Sequence, residues 1–397
     1  MKTNISNQLA LISLAISAFA IGSAEFISVG LLPLIKDSFD VTIPIASLTV
    51  SLYAIGGAFG APILTPLTNR FKRKTVLILI MVVFIIANIF AGVSTSFALL
   101  IAMRILSAFA HGVFMSIATT IAADLVPPHK RSSAIAMMFT GLTVATITGV
   151  PFGTWIGQNF GYEMSFYTIA FIGLISLIAN IMFVPKHLTE YEQAPIIKQL
   201  SVFKNKPLMT LYLITTLGYG GTFVVYTYLT EILTHILGYD TNSIVIILIL
   251  YGVMVAIGNT LGGKLTNNAP TRSLTFIFLL QALTLLLLGL TIHLHVFGLI
   301  SILLMGLFAF MNVPGLQLIV VIFAERHSKE TVNFASSLNI SSFNLGITFG
   351  SVIGGFILNH LTLSYTPYFA FIMVILASAL MFTVNKRETT ETLEVAK

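Results

Sequence analysis

The sequence predicts an all-α membrane protein of twelve transmembrane helices, arranged as two pseudo-symmetric six-helix halves. Three observations carry this. Only 9% of the 397 residues are charged and 56% are hydrophobic, whereas an ordinary soluble domain is about 25% charged; such a chain cannot cover a water-facing surface. Apolar runs near twenty residues recur along its whole length, as helical spans require, where a β-barrel would show short alternating segments. Glycine patterns also repeat half a chain apart.

The spans are read at 9–35, 45–67, 75–93, 98–124, 134–156, 166–184, 208–233, 244–266, 273–292, 296–323, 332–358 and 367–385. In the first, Ala18-Phe19-Ala20 resembles a leader cleavage site, but the apolar run continues well past it and carries Glu25, which favours a retained span. Glu25 is the only charged residue between Lys2 and Lys36. An acid inside a span is costly unless it faces water or a partner, so it marks a candidate functional site. The residues 1–184 form the first half, 185–207 a polar linker, 208–385 the second half, and 386–397 a charged tail expected to be disordered.

The formal net charge is +6. With the N-terminus inside, 18 of the 20 Lys and Arg fall on one face of the membrane. Positive-inside orientation therefore explains the basicity without nucleic acid and puts both termini in the cytoplasm of a multi-pass cell-membrane protein. There is no cysteine, which excludes disulfide and thiolate chemistry. No nucleotide-binding loop, metal-ligand cluster or nucleophile triad is visible, so an enzyme is not expected, no cofactor is implied, and an ion gradient is the expected energy source.

The halves echo each other. Gly60 precedes Leu67-Thr68-Asn69 as Gly258 precedes Leu265-Thr266-Asn267, 198 residues on. Gly149, Gly153 and Gly157 in span five are matched by Gly346, Gly350 and Gly354 in span eleven, at an offset of 197. Two matches at nearly one offset argue for duplicated six-span halves, although a glycine every fourth position is also a general packing device. Parallel repeats with a midplane site at their interface describe a secondary transporter.

Four segments point further. Between spans two and three stands Thr65-Pro66-Leu67-Thr68-Asn69-Arg70-Phe71-Lys72-Arg73-Lys74. Span four carries Leu100-Ile101-Ala102-Met103-Arg104, with His111 and Met115 on the Arg104 face. An arginine there must find an acid, carbonyls or water. His111 titrates near neutral pH when unperturbed, although a hydrogen-bonded structural histidine fits equally. Span five contains Gly149-Val150-Pro151-Phe152-Gly153-Thr154-Trp155-Ile156-Gly157, and span one Gly22-Ser23-Ala24-Glu25-Phe26-Ile27-Ser28-Val29-Gly30-Leu31-Leu32-Pro33.

Together these resemble the major facilitator superfamily over essentially the full length. The first resembles its G-x-L-x-D-R-x-G-R-K loop, with Leu67, Arg70, Arg73 and Lys74 matching and Asn69 in place of the acid. Asn69 keeps hydrogen bonding without the charge that latches the cytoplasmic side in the family. The second resembles its L-x-x-x-R motif, and the third its antiporter motif G-x-x-x-G-P-x-x-G-G with the proline displaced. The fourth is similar to G-T-x-E-F-x-x-x-G-L-L-P of drug:proton antiporters, in the branch of arabinose- and purine-efflux permeases.

The resemblance implies proton-coupled efflux of small, partly apolar molecules such as drugs, a multidrug-resistance activity. A narrow exporter of purines, nucleosides or sugars, or an uncoupled facilitator, are the alternatives. It implies proton coupling through Glu25, Arg104 and His111, and gating or packing roles for Asn69, Arg70, Arg73, Gly149, Pro151, Gly153 and Gly157. Polar and aromatic residues at helical spacing suit a central cavity: Phe26, Met115, Tyr219, Tyr226, Tyr228, Asn312, Gln317 and Asn344. Interhelical hydrogen bonding is the competing reading for each. The expected partners are a small-molecule substrate, protons and the lipid bilayer; the expected state is a monomer.

Overall fold

A computed structural model describes residues 2–41, 43–46, 48–68, 71–186, 188, 195, 199–229, 232–327 and 329–395. Helices and turns make up these residues, with no strand among them. We number the helices α1 (Lys2–Phe39), α2 (Ile43–Ala46), α3 (Leu48–Thr68), α4 (Arg73–Gly92), α5 (Phe97–Asp124), α6 (Arg131–Val144), α7 (Val150–Phe160) and α8 (Tyr162–Phe183). There follow α9 (Lys206–Tyr226), α10 (Thr241–Leu265), α11 (Pro270–Thr291), α12 (His295–Ala309), α13 (Val313–His327), α14 (Val332–His360) and α15 (Thr366–Val395). Among the described residues, eleven stretches are long and apolar enough to cross a membrane, and the apolar helix Leu48–Leu64 stands beside them. The twelve expected spans are accounted for.

Local chemistry sets the ends. The Ser96 hydroxyl accepts from the Leu99 N–H at 3.3 Å and starts α5. Asn205 Oδ1 accepts from the Leu208 N–H at 3.0 Å and starts α9, with Pro207 in the first turn. Both satisfy donors that a helix start leaves open. Gly161, at φ +94°, is the single residue between α7 and α8, a conformation that a side chain disfavours.

Three spans read as continuous are interrupted. Span five is α6, a π-helical turn at Ala145–Gly149, and α7. Pro151 brings no N–H to the carbonyl one turn back, and a widened turn just before it absorbs the defect. Span ten breaks at Phe310–Asn312 between α12 and α13, two residues before Pro314. Span seven ends as an α-helix at Tyr226, and Ile232–Ile236 forms a second π-helical turn. At the C-terminus α15 runs to Val395, through the tail expected to be disordered; its Glu, Lys and Leu residues are good helix formers and prolong an existing helix without a new nucleation step.

The chain divides into two compact units. The first contains residues 1–199 and 328–341, the second residues 200–327 and 342–397. In the first, α1 packs on α6, α7 and α8, α3 on α5, and α4 on α5 and α8. Glycines set how close these helices come. A Cβ on Gly149, Gly153 or Gly157 would overlap Ser23, Ile27 or Leu31 of α1, three rungs four residues apart on both helices. One on Gly60 would lie 2.6 Å from the Phe109 ring of α5. In the second unit, Gly346, Gly350 and Gly354 of α14 meet Thr216, Gly220 and Val224 of α9, and Gly258 of α10 meets the Leu307 carbonyl of α12. Both sequence echoes therefore mark equivalent packing seams. A third appears only in three dimensions: Gly92 receives the Tyr167 ring in one unit, as Gly289 receives Tyr368 in the other.

Gly258→Val forces a side chain against the Leu307 backbone, which cannot rotate away. Overpacking costs typically about 1–3 kcal/mol, so a lowered Tm of the purified protein is expected, while Ile257→Val, at a residue 44% exposed, leaves Tm unchanged. Equal melting of Gly258→Val and wild type contradicts the packing seam.

Candidate functional site

In the first unit, α1 brings Glu25, α3 brings Tyr53, and α5 brings Arg104 and His111 into one buried cluster. The Arg104 side chain ends among backbone carbonyls. Its Nε donates to the Thr49 oxygen at 3.2 Å, Nη2 to the Glu25 carbonyl at 3.2 Å, and Nη1 to the Ala24 carbonyl. Its Cζ lies 4.1 Å from the centroid of the Tyr53 ring, which sits 5.9 Å from the His111 ring. Burying a guanidinium costs several kcal/mol. Hydrogen bonds from a charged donor offset about 1.5–3 kcal/mol each, and a desolvated cation–π contact about 2 kcal/mol. Three such bonds and one ring are of the size needed to hold Arg104 as a cation without an acid in contact.

The carboxylate of Glu25 is left uncommitted. It is 9% exposed, and it makes no ion pair within 4.0 Å and no side-chain hydrogen bond among the described residues. The nearest charge acting on it is that of Arg104. His111 is buried, with its ring 5.9 Å from that of Tyr53, and its Nδ1 has no hydrogen-bond partner among the described residues. Met115, one turn beyond, is buried in α5. The side chain of Phe26 lies outside the described residues. This arrangement can take up and release a proton on a carboxyl whose surroundings are fixed by backbone carbonyls.

The basic loop resolves differently. Asn69 and Arg70 lie outside the described residues. Arg73, at the start of α4, pairs with Asp124 at the end of α5 at 2.6 Å, both side chains under 10% exposed, and Arg131 stands 3.9 Å from the other carboxylate oxygen. Lys74 Nζ donates to the Ile181 and Val184 carbonyls at 2.8 and 2.5 Å, closing the end of α8. Asp124 was missed by the motif comparison, which looks for an acid within the loop; its signal is an acid at the end of span four, facing the start of span three. Tyr53 was missed because a tyrosine in an apolar run reads as core.

In the second unit, Tyr219 touches the rings of Phe223, Phe310 and Phe343 at 5.1, 5.5 and 4.9 Å between centroids. Tyr226 stacks on Tyr251 at 5.3 Å. Asn312 lies in the break between α12 and α13, where its amide donates to Gln281 Oε1 at 2.9 Å. Gln281 donates in turn to the Gly218 carbonyl at 3.0 Å and Thr222 Oγ1 at 2.8 Å. Tyr219, Tyr226 and Asn312 thus gather in one unit. Tyr228 turns to α14 instead, donating to the Ser351 carbonyl at 3.0 Å over Gly354. Gln317 and Asn344 are buried in α13 and α14. Pro151 is exposed at the start of α7, beside the glycine seam that holds Gly149, Gly153 and Gly157.

The sequence model of the Major Facilitator Superfamily matches residues 14–333. The chain is 52% identical over 374 residues, 94% of each chain, to the uncharacterized MFS-type transporter YtbD of Bacillus subtilis (strain 168). It is 36% identical over 387 residues, 97% of this chain and 98% of the other, to the inner membrane transport protein YdhP of Escherichia coli (strain K12). The human organic anion transporter MFSD10 shares the fold with a TM-score of 0.77 at 17% identity, covering 94% of this chain and 99% of its own. The proton:xylose symporter XylE does so with a TM-score of 0.76 at 14% identity, covering 96% of both. The chain belongs to the Major Facilitator Superfamily: it is a multi-pass membrane transporter.

Removing one partner of a buried ion pair costs about 3–5 kcal/mol. Asp124→Asn is therefore expected to lower Tm sharply, and Arg73→Met/Asp124→Leu, which removes both charges, to recover most of the loss. A double variant that melts as low as the single one is inconsistent with an ion pair holding α4 to α5.

Proposed function

We propose that this member of the Major Facilitator Superfamily exports small, partly apolar molecules across the cytoplasmic membrane in exchange for protons, as a monomer without a cofactor. The observation that carries the reading is the uncommitted carboxylate of Glu25, buried beside an Arg104 already satisfied by carbonyls. An acid locked in an ion pair is poorly placed to exchange protons; this one is open to a proton or to a cationic substrate.

The cycle follows from that exclusivity. Glu25 is protonated from outside as substrate leaves, the site reopens inward, the proton departs, and new substrate enters. The halves 1–184 and 208–385, joined by the linker 185–207, alternate the site's access. Both termini lie in the cytoplasm, as the bias of Lys and Arg requires. His111 and Arg104 set the local field in which Glu25 titrates. Substrate contacts are assigned to Phe26, Met115, Tyr219, Tyr226, Asn312, Gln317 and Asn344, while Tyr228 is held on α14 by the Ser351 carbonyl. Asn69, Arg70, Arg73 and the glycines and proline of span five serve gating and packing. Similarity of span one to drug:proton antiporters supports the direction, and the fold is shared with a protein described as a proton symporter.

The amide chain through Gln281 and Asn312 favours a second reading, a narrow exporter of a purine, nucleoside or sugar. Oriented amides reject ligands that do not match them, whereas broad exporters rely on adaptable apolar surfaces. Mutual competition among unrelated dyes and antibiotics identifies the broad exporter.

Glu25→Gln keeps the shape and removes the titration. We expect normal membrane abundance and loss of uphill transport driven by a pH gradient in proteoliposomes. Wild-type rates in this variant sink the assignment of Glu25.

A further inference from the structure

An open cleft lies in the first unit where α1, the π-helical turn at Ala145–Gly149 with the start of α7, and α8 meet. It encloses about 110 Å³. Ser23, Gly149, Gly153, Ser165 and Ile169 make a buried floor, and Phe152, 56% exposed, stands at the rim. Counted along α8 from Gly161, the lining residues Ser165 to Ile172 lie about 6–16 Å in, at 1.5 Å per residue. The hydrocarbon core of a bilayer is about 30 Å thick. The cleft is therefore at the depth of the acyl chains of one leaflet, with its inner end near the midplane.

Its walls offer carbon. Four hydroxyls line it, and each donates to a backbone carbonyl: Ser23 to Phe19 at 2.8 Å, Thr148 to Val144 at 2.9 Å, Ser165 to Gly153 at 2.7 Å and Thr168 to Met164 at 2.8 Å. No hydroxyl proton is left to face the cleft. A buried water needs roughly two to four polar partners, so water is a poor occupant, and an empty void forfeits the dispersion contacts of its lining. Size narrows the choice. Drug-sized ligands take pockets of about 300–1,000 Å³, whereas a dry apolar cavity of about 150 Å³ takes benzene. This cleft takes a short length of alkyl chain. The surface around its mouth is apolar and open: Phe152 stacks on Trp155 at 6.1 Å, Trp155 is 53% exposed, and Phe171 of α8 is 61% exposed. At this depth such a surface faces lipid hydrocarbon.

We propose that the cleft holds one acyl chain of a bilayer phospholipid, packed against α1, α7 and α8 where the π-helical turn interrupts the ladder of span five. The site is separate from the Glu25 cluster. Ser23 faces the cleft, whereas Glu25, two residues on and so on the opposite side of α1, lies towards Arg104 of α5. The proposal therefore stands whether or not Glu25 couples transport to protons.

The test uses full-length protein in phosphatidylcholine bilayers that contain a trace of phosphatidylcholine with a diazirine midway along one acyl chain. Light expels nitrogen, and the carbene inserts into the nearest bond of the protein; mass spectrometry locates the adduct. Lipid that merely coats the protein labels Phe171 and Ile175, which are 61% and 45% exposed. A chain in the cleft also labels Ile169, which is 3% exposed, and this is the expected result. Thr168→Phe fills the cleft with a ring and is expected to lose the Ile169 adduct while keeping that at Phe171. A saturating planar dye, rhodamine 6G, is expected to leave the Ile169 adduct unchanged. Adducts confined to Phe171 and Ile175 in wild type, as an empty cleft or one covered by a second copy would give, overturn the proposal. So does an Ile169 adduct that survives Thr168→Phe, or one that the dye displaces, which makes the cleft a substrate site. Wild type alone decides occupancy, so the test stands even where the variant fails to fold.

Discussion

The structure of the first unit hangs on how a buried guanidinium is satisfied. Within a bilayer, polar groups must find partners inside the protein. Arg104 does so with the backbones of two other helices, reaching Thr49 on α3 and the Ala24 and Glu25 carbonyls on α1. Backbone carbonyls do not titrate and do not swing away. The clamp therefore fixes α1, α3 and α5 to one another whether Glu25 is charged or neutral. It also places the peptide that bears Glu25, so the carboxylate's surroundings are set by main-chain geometry. An Arg–Glu contact pair would have tied the helix packing to the proton; the carbonyl clamp separates the two.

The clamp needs close helices, and the glycines supply them. Lipid tails give apolar side chains little reason to prefer each other, so packing in a membrane depends on close approach and on interhelical hydrogen bonds. The seam of Gly149, Gly153 and Gly157 against α1, and its counterpart on α14 against α9, bring backbones together. Buried polar groups then find interhelical partners, as Asn180 finds Ser17 at 2.8 Å and Asn88 finds Ser107 at 3.3 Å. The same seam makes the π-helical turn before Pro151 tolerable, because packing holds a helix whose own ladder is interrupted.

Much of this was legible in the residues. Apolar run length gave the twelve spans, because a bilayer permits few other solutions. The two glycine echoes at nearly one offset marked the seams that each unit uses. The requirement that Arg104 find an acid, carbonyls or water was correct, but the choice among them was not readable, since it depends on which carbonyls face α5. The helix breaks are half-visible: a proline, Pro151 or Pro314, stands just after two of them, while the π-helical turns are decided by packing. Asp124 and Gln281 stayed hidden because each acts across more than fifty residues of sequence, on Arg73 and on Gly218, and belongs to no local pattern.

The contrast between the two buried acids of the first unit bears most directly on function. Asp124 and Glu25 are both carboxylates near an arginine, yet their contacts divide the labour. Asp124 is 2.6 Å from Arg73 and 3.9 Å from Arg131, so a proton on it would weaken the pair that holds α4 to α5 and the longer contact to the start of α6. Glu25 contributes no such contact, and each nitrogen of the arginine near it already donates to a backbone carbonyl. A proton on Glu25 therefore changes the charge of the cluster without unfastening a helix. Coupling requires an acid whose protonation alters substrate binding more than it alters stability, and of these two acids only Glu25 is placed to meet that condition.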